Sequence, residues 1–126
     1  RPRVRPMKDT LRVGLESNAS YTVTADMSPG HLPVNVLSTP AMIMLVEGTC
    51  LAGVQDHLDD DETTVGVHVC VSHDAAAVEG QEFEVTARLV IRDRRRLTFE
   101  TRVTAGDTVL STGTHARMVI DTSRFR

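Results

Sequence analysis

A carboxylate set in the middle of an apolar helix is the residue of this chain that most needs a chemical explanation. Between Ala41 and Val54 only Glu47 and Thr49 are polar, and burying a carboxylate there is costly unless it is paired, hydrogen-bonded or protonated. From the residues alone, Glu47 is a polar spot at a subunit interface, a salt-bridge partner for an arginine such as Arg117, or a proton-handling group in a reaction. Thr39 precedes it on the same segment, and from the residues alone its hydroxyl is fully accounted for as the helix N-cap. At 1.5 Å of rise per residue the two lie about 12 Å apart along the axis, so they cannot bond within one helix. His73 ends a run of alternating valines and is either a solvated strand-end imidazole or the side chain that moves a proton near neutral pH. Its odd number puts it on the valine face only if the strand runs regularly to its end.

The elements that must hold these groups can be read from pattern. Ala19 to Thr24 is rich in β-branched residues and predicts a strand. Asp26 to Pro33 is broken by Ser28, Pro29, Gly30 and Pro33, and predicts a loop placed to roof a pocket. Thr39 as N-cap, followed by Pro40 at the first helical position, opens a helix running to about His57. That helix is apolar around nearly its whole circumference and must be wrapped by other elements. Gly48 and Gly53, unfavourable in a helix, suggest that another backbone passes close by.

After the acidic turn Asp59 to Glu62, Thr63 to His73 alternates with period two. This places Val65, Val67, Val69 and Val71 on a core face, with Gly66, His68, Cys70 and Ser72 opposite. Glu82 to Ile91, Leu97 to Ala105 and Thr108 to Ile120 predict three more strands joined by short turns. One buried helix inserted before four consecutive antiparallel strands is an α+β pattern in which a curved sheet wraps the helix.

Composition narrows the function. The chain has 126 residues and a mass of 13.8 kDa, enough for one domain, expected over residues 7–126 behind a flexible extension at residues 1–6. The extension, Arg1 to Pro6, has no apolar stretch of the signal-peptide kind, and Met7 is a candidate start. A formal charge of -3 and only four aromatic residues argue against nucleic acid as a partner. The longest apolar run, Ala41 to Val46, is far shorter than the roughly 20 residues of a membrane span.

Cys50 and Cys70 lack paired spacing and read as buried thiols, with a reducing cytoplasm as the expected compartment. The histidines share no ligand spacing, and the acidic turn lacks the pattern of a calcium loop, so no metal or other cofactor is expected. No serine sits in a nucleophile-elbow motif. Arg92, Arg94, Arg95 and Arg96 read as a solvated hairpin turn, with a phosphate contact as the rival reading.

The order of elements is that of the hot-dog fold. Thr39-Pro40-Ala41-Met42, Leu45 to Cys50, Val65 to His73 and Gly113-Thr114-His115-Ala116-Arg117 resemble the helix, central-strand and last-strand motifs of fluoroacetyl-CoA-type hot-dog thioesterases, over about Met7 to Phe125. The resemblance implies that Thr39, Glu47 and His73 together cleave an acyl-CoA or acyl-carrier thioester at a cleft between the two subunits of a homodimer. Two routes stay open. In one, Thr39 attacks with His73 as its base. In the other, Glu47 and His73 activate a water, or Glu47 attacks directly, while Thr39 and backbone N–H groups hold the oxyanion.

Gly66 and Arg117 take the positions of substrate-binding residues, Gly66 by close approach to the acyl group and Arg117 on the CoA side, although strand packing and a surface ion pair account for them as well. A hot-dog protein that binds an acyl thioester without cleaving it, or a dehydratase, is the alternative. A dehydratase presents its histidine before or at the helix, which counts against it here. The loop from Gly30 to Val34 lacks the family's aromatic lid, which separates fluoroacetyl specificity from thioester hydrolysis.

Overall fold

The structure, a computed structural model, describes residues 8–125, so the expected extension and Met7 lie outside the described residues. The apolar run forms a 17-residue helix, α1 (Thr39–Gln55). Five strands, β1 (Glu16–Thr22), β2 (Glu62–Val71), β3 (Glu82–Asp93), β4 (Arg96–Ala105) and β5 (Thr108–Asp121), make a single antiparallel sheet in the order β1-β3-β4-β5-β2. The chain thus enters at one edge, crosses through α1 to the other, and fills the middle with two hairpins. The sheet curls around α1, giving the hot-dog arrangement.

Alternation does the work in the central strands. Phe83, Val85, Ala87 and Leu89 of β3, with Leu97, Phe99, Val103 and Ala105 of β4, turn inward. They meet Met42, Val46, Cys50 and Val54, which recur every fourth residue along one stripe of α1. Gly53 is required for this packing: a Cβ there would lie 1.8 Å from Ser17 Oγ of β1. Gly48 has nothing within 4 Å of that position, so the expected close backbone is met at Gly53 and not at Gly48 within the described residues of this chain.

Strand β2 departs from its reading. Its ladder with β5 shifts register between Gly66 and His68, a bulge at Val67. Before the bulge the even residues face α1, and a Cβ on Gly66 would strike Glu47. After it the odd ones do: Val69 stands opposite the buried His115, and Val71 packs into the core beside Met42 and Val46. The uniform valine face is therefore not formed, and Val65, Val67 and Val69 are all exposed.

Cys70, expected to be buried, is exposed on the face of β2 opposite Val69 and Val71, while Cys50 is buried. Glu62, expected in a solvated acidic turn, is buried at the start of β2, where it accepts a hydrogen bond from the Asp59 N–H and pairs with Arg95 at 2.7 Å. The arginine turn is partly tied down by that pair and by Arg92, which donates to the Leu11 carbonyl.

Candidate active site

The first turn of α1 separates two hydroxyls that the sequence places side by side. Ser38, not Thr39, is the N-cap: its Oγ accepts from the Ala41 N–H at 3.2 Å. Thr39 becomes the first helical residue and its hydroxyl is free for another partner. That partner is His73, whose Nδ1 lies 2.7 Å from Thr39 Oγ1, within the reach of a nucleophile and its base. The His73 Nε2 is shielded from water and has no partner among the described residues.

The pair opens into a cavity of about 500 Å³ whose wall includes His31, Leu32, Leu37, Asp74 and Ala75. The irregular loop before the helix supplies part of this wall, as expected from its placement. Because the hydroxyl sits on the first turn, negative charge developing beside it falls at the positive end of a 17-residue helix.

Glu47 stands two turns further along α1 and faces a different cavity, of about 410 Å³, together with Met44, Gly66 and Arg117. Its side chain is 35% exposed. A Cβ on Gly66 would come within 2.7 Å of Glu47 Oε2, so any larger residue would push the carboxylate aside. Arg117 is buried rather than a surface cation, at 6% exposure. Its Nε donates to Thr64 Oγ1 at 2.6 Å and its Nη2 to the Thr64 carbonyl at 2.9 Å, while Nη1 meets His115 Nε2 at 3.0 Å.

An arginine can only donate, so His115 Nε2 accepts and the imidazole is neutral. Its proton then sits on Nδ1 and is donated to the His68 carbonyl at 2.8 Å. Burial, the largest cause, and the Arg117 charge both hold the His115 pKa below its usual value. The 4.0 Å approach of His115 Nε2 to Glu47 Oε2 is accordingly no ion pair. Burial also lowers the pKa of Arg117 and pushes that of Cys50 up to about 12, which keeps this thiol protonated and inert.

One chain therefore brings Thr39 to His73, and Glu47 to Gly66 and Arg117, but does not bring these two groups together. His115 and Thr64 received no role from sequence reading. The available signal was the spacing of His115 and Arg117, two residues apart on one strand and hence on one face. No group of three or more His, Cys, Asp or Glu residues suited to a metal ion occurs among the described residues.

A model of the fluoroacetyl-CoA-specific thioesterase family matches residues 18–123. The fluoroacetyl-CoA thioesterase of Streptantibioticus cattleyicolor is 34% identical, over 94% of this chain and 92% of that protein. Among solved structures, the fluoroacetyl-CoA thioesterase FlK superposes with a TM-score of 0.87 at 28% identity, covering 93% of each chain. A variant of FlK in complex with fluoroacetate and CoA gives 0.86 at 28% identity, over 92% of this chain and 100% of that one.

Proposed function

The chain belongs to the fluoroacetyl-CoA-specific thioesterase family and is a thioester hydrolase acting on acyl-CoA; from that premise we propose that Thr39, Glu47 and His73 carry the hydrolysis, at a cleft built from two copies of the chain. The observation that supports the assignment best is the 2.7 Å contact between Thr39 Oγ1 and His73 Nδ1 at the mouth of an open cavity. A protein that merely binds an acyl thioester has no need of a hydroxyl activated by an imidazole.

In this reading His73 takes the Thr39 proton as the hydroxyl oxygen attacks the thioester carbonyl. The tetrahedral oxyanion forms beside the N-terminus of α1. Collapse breaks the C–S bond, and His73 returns the proton to the departing CoA thiolate. A water then attacks the acyl-threonine ester with Glu47 taking its proton; the bond from the acyl carbon to Thr39 Oγ1 breaks, the proton passes from Glu47 back to that oxygen, and the carboxylic acid leaves. Gly66 and Arg117 line the substrate path beside Glu47.

Glu47 must come from a second copy, because within one chain it lies about 12 Å from Thr39 along the helix axis. An exposed apolar surface around it supports such pairing: Met44 is 72% exposed and Val67 45%, and β2 is an edge strand with unpaired backbone groups. Gly48, open on the same helix face, leaves room for a second helix. The acyl group in this reading is small and aliphatic, under a roof of Leu32 and Leu37 rather than aromatic rings. Free thiols at Cys50 and Cys70 fit a cytoplasmic enzyme.

The test is thiol release from a panel of short acyl-CoAs by purified protein, with mass spectrometry of Thr39 peptides after rapid quench. Acyl-dependent release and an acylated Thr39 are expected. No release above background would overturn the hydrolase reading, and release from a protein that is monomeric by light scattering would overturn the shared cleft.

A further inference from the structure

The inner face of β5 carries a histidine that is fully buried, touches neither Thr39 nor His73, and is wired at both ring nitrogens. Its Nδ1–H reaches the carbonyl of His68, the first residue paired after the β2 bulge. Its bare Nε2 receives Arg117 Nη1, and Arg117 is held from the other side by Thr64, which precedes the bulge. The imidazole is thus the strut that joins the two halves of β2 across the irregularity, with the guanidinium as the second member. Glu47 Oε2 sits 4.0 Å from the same nitrogen and 2.7 Å from where a Cβ on Gly66 would lie.

We propose that His115 is a positioning residue for the Glu47 half of the site, acting as a neutral acceptor that fixes the Arg117 guanidinium and, through the His68 carbonyl, the bulge that brings Gly66 against Glu47. The proposal rests on the thioesterase reading. The physical reason for histidine here is that it offers an acceptor and a donor on opposite sides of one rigid ring. Without the acceptor, Arg117 keeps its two Thr64 bonds but loses the contact that holds its Nη1 corner beside Gly66. Its charge then lies at an unfixed distance from the carboxylate, and an error of about 1 Å at a reacting group costs up to about 10²-fold in rate.

Two substitutions divide the ring's functions. In His115→Asn the amide nitrogen takes the place of Nδ1 and keeps the donor to His68, but no acceptor reaches Arg117. In His115→Gln the amide oxygen takes the place of Nε2 and keeps the acceptor. With acetyl-CoA as probe, the expectation is a kcat about 10- to 100-fold lower for the asparagine variant with KM within about threefold of wild type. The glutamine variant should recover at least roughly a third of wild-type kcat on the same scale. Thr64→Val, which removes the other anchor of Arg117, should also lower kcat without a matching change in KM.

A purely structural role would move the melting temperatures of the variants and leave kcat per folded molecule unchanged, and that result overturns the proposal. If the variants do not fold, the ¹⁵N shifts of the wild-type imidazole decide: a protonated Nδ1 with a bare Nε2 supports the assignment, and a protonated Nε2 at neutral pH overturns it. Wild-type protein that releases no thiol from any acyl-CoA instead overturns the hydrolase reading, a separate result.

Discussion

Two adjacent hydroxyls at the start of α1 carry different duties, and exchanging them experimentally is the sharpest test of the geometry. In Ser38→Ala the Ala41 N–H loses its 3.2 Å side-chain acceptor. Removing a serine cap costs about 1 kcal/mol, which for a domain of this size is a drop of roughly 3 to 5 °C in melting temperature. In Thr39→Val the branched shape is kept, no capping bond is touched, and the residue is exposed, so the stability change should stay within about 0.5 kcal/mol. Activity should respond in the opposite order. Thr39→Val removes the hydroxyl on His73 Nδ1 and should lower kcat/KM about 10²- to 10⁴-fold, the range expected when a proton-transfer partner is lost. Ser38→Ala should stay within a few-fold of wild type, and Thr39→Ser should retain measurable turnover. The assays are thermal melts by circular dichroism and thiol release on the same samples. A Thr39→Val protein that melts lower than Ser38→Ala would refute the cap assignment, and one that hydrolyses at more than about a tenth of the wild-type rate on that scale would refute the role of the Thr39–His73 pair.

Other outcomes follow from the same arrangement. His73→Ala should keep its melting temperature within about 1 °C and lose thiol release about 10²- to 10⁴-fold; retention of more than half the wild-type rate rejects His73 as base. Mixing separately inactive Glu47→Ala and His73→Ala chains, followed by subunit exchange, should restore part of the activity because one of the two clefts then holds both native groups; no recovery after demonstrated exchange counts against a shared cleft. Gly66→Ala places a methyl 2.7 Å from Glu47 Oε2 and should cut activity more than stability, as read by rate and melt together. The lowered pKa of buried His115 means that the unfolded chain binds its proton first as pH falls. Its contribution is therefore present above the unfolded value near 6.5 and lost below it, at no more than about 1.4 kcal/mol per pH unit. Denaturant melts of wild type between pH 7.5 and 5 should show this loss, and His115→Gln should show less of it.

Much of this was legible in the amino-acid order because the signals were local. The apolar run after Thr39-Pro40 gives α1 within two residues at its far end, and period-two alternation gives β3, β4 and β5 nearly to the residue. The separation of Thr39 from Glu47 follows from helix geometry alone. Where the reading slipped, two local answers were chemically alike. Ser38 and Thr39 are both good caps, and only tertiary contact with His73 distinguishes them. The bulge in β2 is invisible because valine, glycine, histidine and cysteine alternate perfectly through it, and the exposure of Val65 and Val67 follows from that missed shift. Glu62 looked like one more member of an acidic run, since nothing near it in sequence announces Arg95. The spacing of His115 and Arg117 put them on one face, but their bonds to β2, to His68 47 residues away and to Thr64, had no local signal.

The bulge also decides which way the end of β2 delivers His73. Gly66 and His73 are separated by seven positions, an odd number, and on an unbroken strand an odd separation sends two residues to opposite sides of the sheet. Their common orientation toward α1 exists because one residue is skipped between them. Parity and irregularity are therefore locked together. Deleting Val67 alone would make the count even and the strand regular at once, leaving both residues still aimed inward, whereas deleting any residue while the skip persists would turn His73 out to solvent.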